Sequence, residues 1–330
     1  MILINNLYYM IMGSFNVLGI LIPVLLAVAL LTLLERKVLG FIQFRKGPNI
    51  VGPFGTLQPF ADGLKLFIKE NFKPSSASSI LYYISPFLFF FIAIILWGVV
   101  PLYNSGMNFS MSLLFFITLS SLSVYSILGA GWSSNSKYSL LGSIRAVAQV
   151  ISYEVSFGLI LLPLVLIVGG WSLFHFVEFQ EKGVWLVLPC FPLFIMWYIS
   201  SLAETNRTPF DLSEGESELV SGYNVEYSGA PFALFFIGEY SNIILINLIT
   251  VILFFGSGSP FFYFWLSVCF LLIKVLFFIF SFLWVRASFP RIRYDQLMML
   301  MWKNFLPLSI GSFFFYIYVS VFFFNFPCHY

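Results

Sequence analysis

Apolar residues run in long blocks along the chain instead of alternating with polar ones. Eight such blocks recur, each separated from the next by a more polar connection. About 20 apolar residues in a helix cross the ~30 Å hydrocarbon core of a bilayer, whereas membrane β-barrel strands alternate. We therefore predict an all-α, polytopic membrane protein with about eight transmembrane helices. The predicted spans lie at about residues 7–34, 80–103, 107–130, 144–168, 184–203, 230–255, 260–285 and 305–326.

The connection after the first span contains a helical pattern of its own. Two Gly-Pro pairs, at 47–48 and 52–53, mark turns, and apolar residues then follow helical spacing over about residues 55–70. The intervening positions are polar, which is typical of a short amphipathic helix lying at the membrane interface or against the bundle. The connection at about 204–229 is acidic instead. With no other interruption, residues 1–330 are predicted to form a single membrane domain.

Composition and charge support the membrane class and exclude others. Hydrophobic residues make up 60% of the chain and charged residues 9%, against roughly 25% charged residues in soluble domains. A net charge of +2 creates no field that would attract nucleic acid. No charge precedes Glu35, so we expect the first block to be a retained span and not a cleaved signal or an Arg-rich transit peptide.

Lysine and arginine are concentrated in alternate connections. On one side of an eight-span bundle these are Arg36, Lys37, Arg45, Lys46, Lys65, Lys69, Lys73, Lys137, Arg145, Arg207, Arg286, Arg291, Arg293 and Lys303. The opposite side has Lys182 alone. The positive-inside rule places the basic side in a matrix or a cytoplasm.

The residues that could hold a redox centre are few and scattered. Cys190, Cys269 and Cys328 lie far apart without a CxxC pair, and His175 and His329 fall in loop or tail sequence. Zinc and iron–sulfur sites need clustered thiolates or imidazoles. We therefore expect no metal site and no haem in this chain.

Carboxylates occur where a membrane span should exclude them. Glu154 follows Arg145 by nine residues, about 13 Å of helix rise, which places it mid-span; Glu239 lies about ten residues into the sixth span, and Glu204 closes the fifth. A charged group at such a depth pairs, faces water or takes up a proton. Either these residues bond structurally to neighbouring helices, or they are protonatable relay sites. The adjoining loop adds Asp211, Glu214 and Glu216 around Arg207.

Four basic side chains leave alternatives open at this point. Lys274 lies mid-span in the seventh block, as a counter-charge to these carboxylates or as a structural pair. Lys37, beside Glu35 at the end of the first span, fits simple anchoring. Arg36 and Arg45 flank the turn-rich segment, where they either anchor the chain or line the mouth of a lipid-facing cavity.

Several of these segments together resemble subunit 1 of respiratory complex I, the NADH:ubiquinone oxidoreductase. They are ERKVLG at 35–40, QFRKGPN at 43–49, GPFG at 52–55, LAETNRTPFDL at 202–212, EGESELVSG at 214–222, RAVAQ at 145–149, SYE at 152–154, GEY at 238–240 and PRIRYDQ at 290–296. The likeness runs nearly end to end and is weakest in the first dozen residues, at 171–182 and after residue 310.

The resemblance implies a core membrane subunit of a proton-pumping enzyme, with ubiquinone as bound substrate. FMN and iron–sulfur clusters would reside in partner subunits, and none of them in this chain. The partners would be quinone-site and iron–sulfur subunits of the hydrophilic arm, small and antiporter-like membrane-arm subunits, and lipid. The location would be the mitochondrial inner membrane with the basic loops facing the matrix. A bacterial plasma membrane is the alternative.

The resemblance also assigns roles to individual residues. It implies that the quinone chamber is lined or shaped by Glu35, Arg36, Arg45, Asp62 and Arg207. It implies a proton track made of Asp211, Glu214, Glu216, Glu204, Glu154 and Glu239. It implies electrostatic support from Arg145, Lys274, Arg286 and Arg293.

Three other functions compete with this interpretation. A stand-alone channel or secondary transporter would need internal repeats with matching broken helices, and the two halves of this sequence show none. The homologous subunit of a membrane-bound hydrogenase is separated from a quinone enzyme by its partner subunits. A purely structural anchor would leave Glu154 and Glu239 without a reason.

Overall fold

The apolar blocks fold into helices in the computed structural model, which describes residues 2–101, 109–211, 222–258 and 264–322. The helices are α1 (Ile2–Ile42), α2 (Gln58–Ile68), α3 (Ser79–Leu96), α4 (Ser112–Ser133), α5 (Lys137–Val168), α6 (Leu173–Glu181), α7 (Phe191–Glu204), α8 (Gly229–Phe254), α9 (Phe264–Ser288), α10 (Tyr294–Met299) and α11 (Leu306–Phe322). Those parts of the predictions that fall at 102–108, 212–221, 259–263 and 323–330 lie outside the described residues.

The helices confirm an all-α membrane protein. Within the described residues, seven helices are long and apolar enough to cross a bilayer, and α7 is a shorter apolar helix. The last of the seven is a rod over Tyr294–Phe322, in which a π-helical turn (Leu300–Phe305) joins α10 to α11. With α7 counted, the eight predicted spans are all present. The amphipathic helix predicted at about 55–70 is α2.

Several predicted boundaries were wrong: α5 begins at Lys137 instead of about residue 144, α3 ends at Leu96 instead of about residue 103, and two others have an evident physical reason. The first span does not end at Glu35, because α1 continues without interruption to Ile42. Charges there signal the end of a span to a hydropathy window, but they do not break a helix. The fifth span is helical only from Phe191. Pro189 disfavours the α conformation in the residue that precedes it, whereas Pro192 lies in the first turn of the helix, where proline is tolerated.

An additional helix, α6, connects α5 to α7 and corrects the placement of His175 in a loop. Ser172 caps α6 by accepting a hydrogen bond from the backbone N–H of His175, and its hydroxyl also lies 2.8 Å from His175 Nδ1. A serine at this position satisfies one of the unpaired N–H groups at a helix start.

α5 and α8 form the centre of the bundle. α5 packs against α4, α7 and α11, while α8 packs against α1, α2, α3 and α9. Trp197 of α7 joins the two central helices: its ring lies 3.9 Å from that of Phe157, and its Nε1 donates to Thr250 Oγ1 at 3.2 Å. This buried core fixes α5, α7 and α8 relative to one another.

Small residues allow two of these helix pairs to approach closely. A Cβ added at Gly238 would lie 2.6 Å from the ring of Phe89, and one added at Gly131 would lie 2.1 Å from Ser143 Oγ. Glycine and serine at such contacts are typical of membrane helices, whose association depends on close packing. Gly238 precedes Glu239, so the α3–α8 contact sets the position of that carboxylate.

Candidate functional site

A buried carboxylate on α1 collects two arginines and a tyrosine. Glu35 is 4% exposed. Its Oε1 accepts from Arg207 Nη1 at 3.2 Å and forms a second ion pair with Arg286 of α9, while its Oε2 accepts from Tyr240 Oη at 2.7 Å. Three donors from three separate segments therefore converge on one carboxylate.

The surroundings of Glu35 are apolar on one side. A small pocket beside the cluster is lined by Leu31, Ile243, Ile279, Phe282 and Leu283. The guanidinium carbon of Arg207 also lies 4.6 Å from the centre of the Tyr240 ring, which is within the range of a cation–π contact. With one carboxylate and two arginines, the cluster carries a net positive charge next to an apolar wall.

A second polar site lies deeper, between α3, α4, α5, α7 and α8. It is a cavity with about 40 Å³ of space for the centres of water molecules, enough for two or three waters at roughly 10–15 Å³ each. Its polar lining comes from Ser120, Ser123, Glu204, Thr205, Asn206, Glu239 and Asn242. The amide oxygens of Asn206 and Asn242 are buried and lack a hydrogen-bond partner among the described residues.

Glu239 lines this cavity and also interacts with residues outside it. Its Oε1 accepts a 2.5 Å hydrogen bond from Tyr223 Oη, and Arg207 and Asp211 lie close enough to act electrostatically on its charge. Asp211 is 7% exposed and pairs with Arg291 Nη2 at 3.5 Å. Arg207 therefore interacts with two carboxylates, Glu35 on α1 and Glu239 on α8.

Glu154 extends the acidic group toward α4. It is half-buried on α5, its side chain lies near that of Ser121, and it interacts electrostatically with Glu204. The structure thus brings Glu154, Glu204 and Glu239 into one neighbourhood, a convergence that the sequence had left open.

The segment after α7 carries much of the site and is held by turns. The N–H of Asn206 donates to Ala203 O at 3.2 Å, and that of Phe210 donates to Arg207 O at 2.8 Å. Asn206 adopts the left-handed conformation with φ of 49°, which asparagine tolerates better than most residues. These turns direct Glu204 toward the cavity and Arg207 toward Glu35.

The remaining predicted chamber residues lie at the surface. Arg36 Nη1 pairs with Asp62 Oδ2 of α2 at 2.6 Å, and the two side chains are 54% and 37% exposed. Gln58 also donates to Asp62, at 3.0 Å. Arg45 is exposed in the loop that follows α1. The Arg36–Asp62 pair joins α1 to the amphipathic helix, outside the Glu35 cluster.

The basic residues predicted to give electrostatic support lie in different parts of the structure. Arg286 lies on Glu35, whereas Arg145 is half-buried on α5 and Arg293 is exposed just before α10. Lys274 Nζ donates to three carbonyls that follow α8, Phe255 O, Gly256 O and Ser257 O, at 2.8, 2.8 and 3.2 Å. That place is about 24 Å of helix rise from Glu239. Glu214 and Glu216 lie outside the described residues.

Several polar residues at the site were not predicted. Tyr240 adjoins Glu239 in a motif the sequence analysis singled out, and Asn242 follows Glu239 by three residues, a spacing that puts both on one helix face. Ser120 and Ser123 have the same spacing on α4. The sequence around Tyr223 does not indicate a role at the site, because its contact with Glu239 depends on the path of the chain between α7 and α8.

Comparison with known proteins assigns this arrangement to a family. A family model described as NADH dehydrogenase matches residues 15–317. NADH-ubiquinone oxidoreductase chain 1 of Paracentrotus lividus is 61% identical over 298 residues, which cover 90% of this chain and 92% of that protein. The chain 1 proteins of Patiria pectinifera and Tetraodon nigroviridis are 60% and 58% identical, each over 90% of this chain and 91% of their own length. The chain therefore belongs to the NADH dehydrogenase family, as a relative of chain 1 of NADH-ubiquinone oxidoreductase.

Proposed function

We propose that this chain, a subunit of complex I, forms part of the ubiquinone chamber and couples quinone reduction to proton translocation. The observation that carries the proposal is the position of Arg207, which pairs with Glu35 at 3.2 Å and also acts on Glu239 beside the cavity. The Glu35 cluster serves the quinone, and the cavity carboxylates serve the protons.

The Glu35 cluster suits a quinone headgroup. Ubiquinone takes up two electrons and two protons to become the quinol, so negative charge develops on its oxygens before the protons arrive. A net positive cluster of Arg207 and Arg286 around Glu35, beside an apolar wall, would stabilise such charge. The electrons would come from iron–sulfur clusters in partner subunits.

The cavity suits proton movement. Glu204 and Glu239 can each hold a proton, and two or three waters would satisfy the unpaired amide oxygens of Asn206 and Asn242. Such waters would bridge Glu204 and Glu239 across the cavity. Glu154, which interacts electrostatically with Glu204, would then receive the proton on the α4 side.

The same proposal places the chain in its surroundings. The basic connections would face the matrix side of the mitochondrial inner membrane, and subunits of the hydrophilic arm would dock there. Small and antiporter-like membrane-arm subunits would continue the track beyond Glu154. The exposed apolar faces of the outer helices would contact lipid or those subunits.

Charge-neutral substitution of the track tests the proposal. We expect Glu204→Gln and Glu154→Gln to lower the turnover number of the assembled enzyme with ubiquinone and the protons pumped per electron. The KM for ubiquinone should stay close to that of the unmodified enzyme, because neither residue lines the Glu35 cluster. Proton uptake and quinone reduction would be measured together in membrane vesicles.

Glu178→Gln supplies the matched control, since Glu178 is an exposed carboxylate on α6. The same removal of charge there should leave both activities unchanged. If Glu204→Gln and Glu154→Gln enzymes retain full quinone reduction and full pumping, these residues have no part in coupling.

A further inference from the structure

A buried glutamine on α5 holds both ends of the segment that follows α7. Gln149 is 0% exposed. Its Nε2 donates to Ala203 O at 2.9 Å and to Phe210 O at 2.9 Å. Those two carbonyls bracket the turns that contain Glu204 and Arg207, so one amide fixes the start and the end of the segment.

The chemistry of the contact determines how the amide is oriented. Backbone carbonyls only accept hydrogen bonds, so the NH2 group must face them, and its two hydrogens match the two acceptors. The other amide atom, Gln149 Oε1, is buried without a hydrogen-bond partner among the described residues. Leaving a buried acceptor unpaired costs free energy. The two hydrogen bonds that Nε2 donates therefore determine the orientation of the side chain.

The bracketed segment carries charges that face different groups. Glu204 lines the cavity, Arg207 binds Glu35, and Asp211, next to Phe210, pairs with Arg291. The α5 side of the segment is further packed by Tyr153, one turn after Gln149, whose ring lies 5.9 Å from that of Phe210. A shift of either clamped carbonyl would move Glu204 and Arg207 relative to each other.

We propose that Gln149 is a positioning residue, which keeps Glu204 in the cavity and Arg207 on Glu35 in a fixed relation. This inference rests on the proposed function, because it acts through the two residues to which that function assigns proton coupling and quinone binding. Among the described residues, Gln149 forms no hydrogen bond with Glu35 or with the cavity carboxylates. Its effect would be transmitted by the backbone of the segment.

The chain supplies a close structural match for comparison. Gln180 on α6 is 1% exposed, and its Nε2 donates to Ile252 O at 2.9 Å and Leu253 O at 3.0 Å. Its Oε1 also has no hydrogen-bond partner within the part of the chain that the structure describes. The burial, the two acceptors and the unpaired oxygen are the same as at Gln149. The segment that Gln180 holds, at the end of α8, contains no charged residue.

Gln149→Met and Gln180→Met therefore form a matched pair in the assembled enzyme. Each removes two donors from a buried site at similar volume. We expect Gln149→Met to raise the KM for ubiquinone and to lower kcat, with kcat/KM falling on the order of tenfold to a hundredfold, as expected when reacting groups are misplaced by about 1 Å. Gln180→Met should leave both parameters near those of the unmodified enzyme. Equal kinetic effects of the two variants would overturn the proposal.

Combined variants show whether Gln149 acts through its two proposed targets. In an Arg207→Gln background, Gln149→Met should add little further rise in KM, and in a Glu204→Gln background it should add little further fall in kcat. Full additivity in both backgrounds would contradict the positioning role. If Arg207→Gln and Glu204→Gln change neither parameter, the proposed function fails. If they do and Gln149→Met does not, only the positioning role fails.

Gln149→Glu keeps the test decisive if the Met variant does not assemble. The carboxylate preserves side-chain length but presents acceptors to two carbonyls, so the same rise in KM and fall in kcat are expected. NADH oxidation with a water-soluble acceptor reports the amount of intact hydrophilic arm. Failure of both Gln149 variants to assemble, with Gln180→Met assembling normally, would assign Gln149 a structural role and overturn the proposal.

Discussion

Neutralising Glu35 should disable the quinone end of the molecule without unfolding it. In a Glu35→Gln enzyme, Arg207 and Arg286 would face an amide in place of the carboxylate they share, and Tyr240 would lose a charged acceptor. The net charge of the cluster would rise from one positive charge to two. Without the carboxylate that holds them, the two arginines would repel each other and leave the positions from which they act on the quinone. α1 itself should persist, because glutamine and glutamate have similar helix propensities.

The size of the effect follows from the burial of the cluster. Removing one partner of a buried ion pair costs about 3–5 kcal/mol. The Arg286 side chain is 33% exposed and Arg207 14%, so water partly compensates and the lower end of that range applies. About 3 kcal/mol corresponds to roughly a hundredfold change in an equilibrium. The same two arginines act on the charge that develops on the quinone, so their displacement should lower kcat/KM for ubiquinone on the order of tenfold to a hundredfold, mainly through KM.

The assay compares two acceptors in the same membranes. Ubiquinone reduction requires the chamber, whereas a water-soluble acceptor takes electrons in the hydrophilic arm and should respond normally. Glu70→Gln removes an exposed carboxylate shortly after α2 and serves as the charge-matched control. A fully assembled Glu35→Gln enzyme with an unchanged kcat/KM for ubiquinone would refute the assignment of this cluster to the quinone.

Three further substitutions separate surface, packing and capping effects. Arg36→Gln breaks an exposed pair with Asp62 worth about 0.2–1 kcal/mol, so the KM for ubiquinone should change less than about fivefold. Gly238→Ala places a Cβ against the ring of Phe89, an overpacking that costs about 1–3 kcal/mol; the amount of assembled enzyme, measured by native electrophoresis, should fall. Lys274→Met leaves the carbonyls after α8 without their donor, which should lower the melting temperature but not change the KM.

The sequence predicted the membrane elements well because hydropathy is a local property. Eight apolar blocks became helices, and the pattern of α2 was evident from its spacing alone. The end of α1 was missed for a physical reason: Glu35 is satisfied inside the protein by two distant arginines, so its charge does not have to leave the bilayer region at a helix terminus. A window of sequence cannot include partners 172 and 251 residues away.

The site was predicted in part, and unevenly. Charged residues within apolar blocks are conspicuous, so Glu154, Glu204 and Glu239 were found. Gln149 lies within the same apolar run as Glu154 and is as deeply buried as any side chain of the core, yet an amide has no formal charge to mark it. Its two acceptors are backbone carbonyls of another segment. Every residue has such a carbonyl, so the sequence does not indicate which ones Gln149 contacts.

Two carboxylates that share one arginine cannot respond independently to a change of charge. Arg207 is hydrogen-bonded to Glu35 and lies within electrostatic reach of Glu239. A unit charge that develops about 4 Å from Arg207, in surroundings of effective dielectric near 20, interacts with it by about 4 kcal/mol. A charge that develops near Glu35 would thus change the hold of Arg207 on Glu239 even if no helix moved. In this arrangement the hydrogen bonds from Gln149 to Ala203 O and Phe210 O favour coupling, because a loose segment would absorb the change before it reached the cavity.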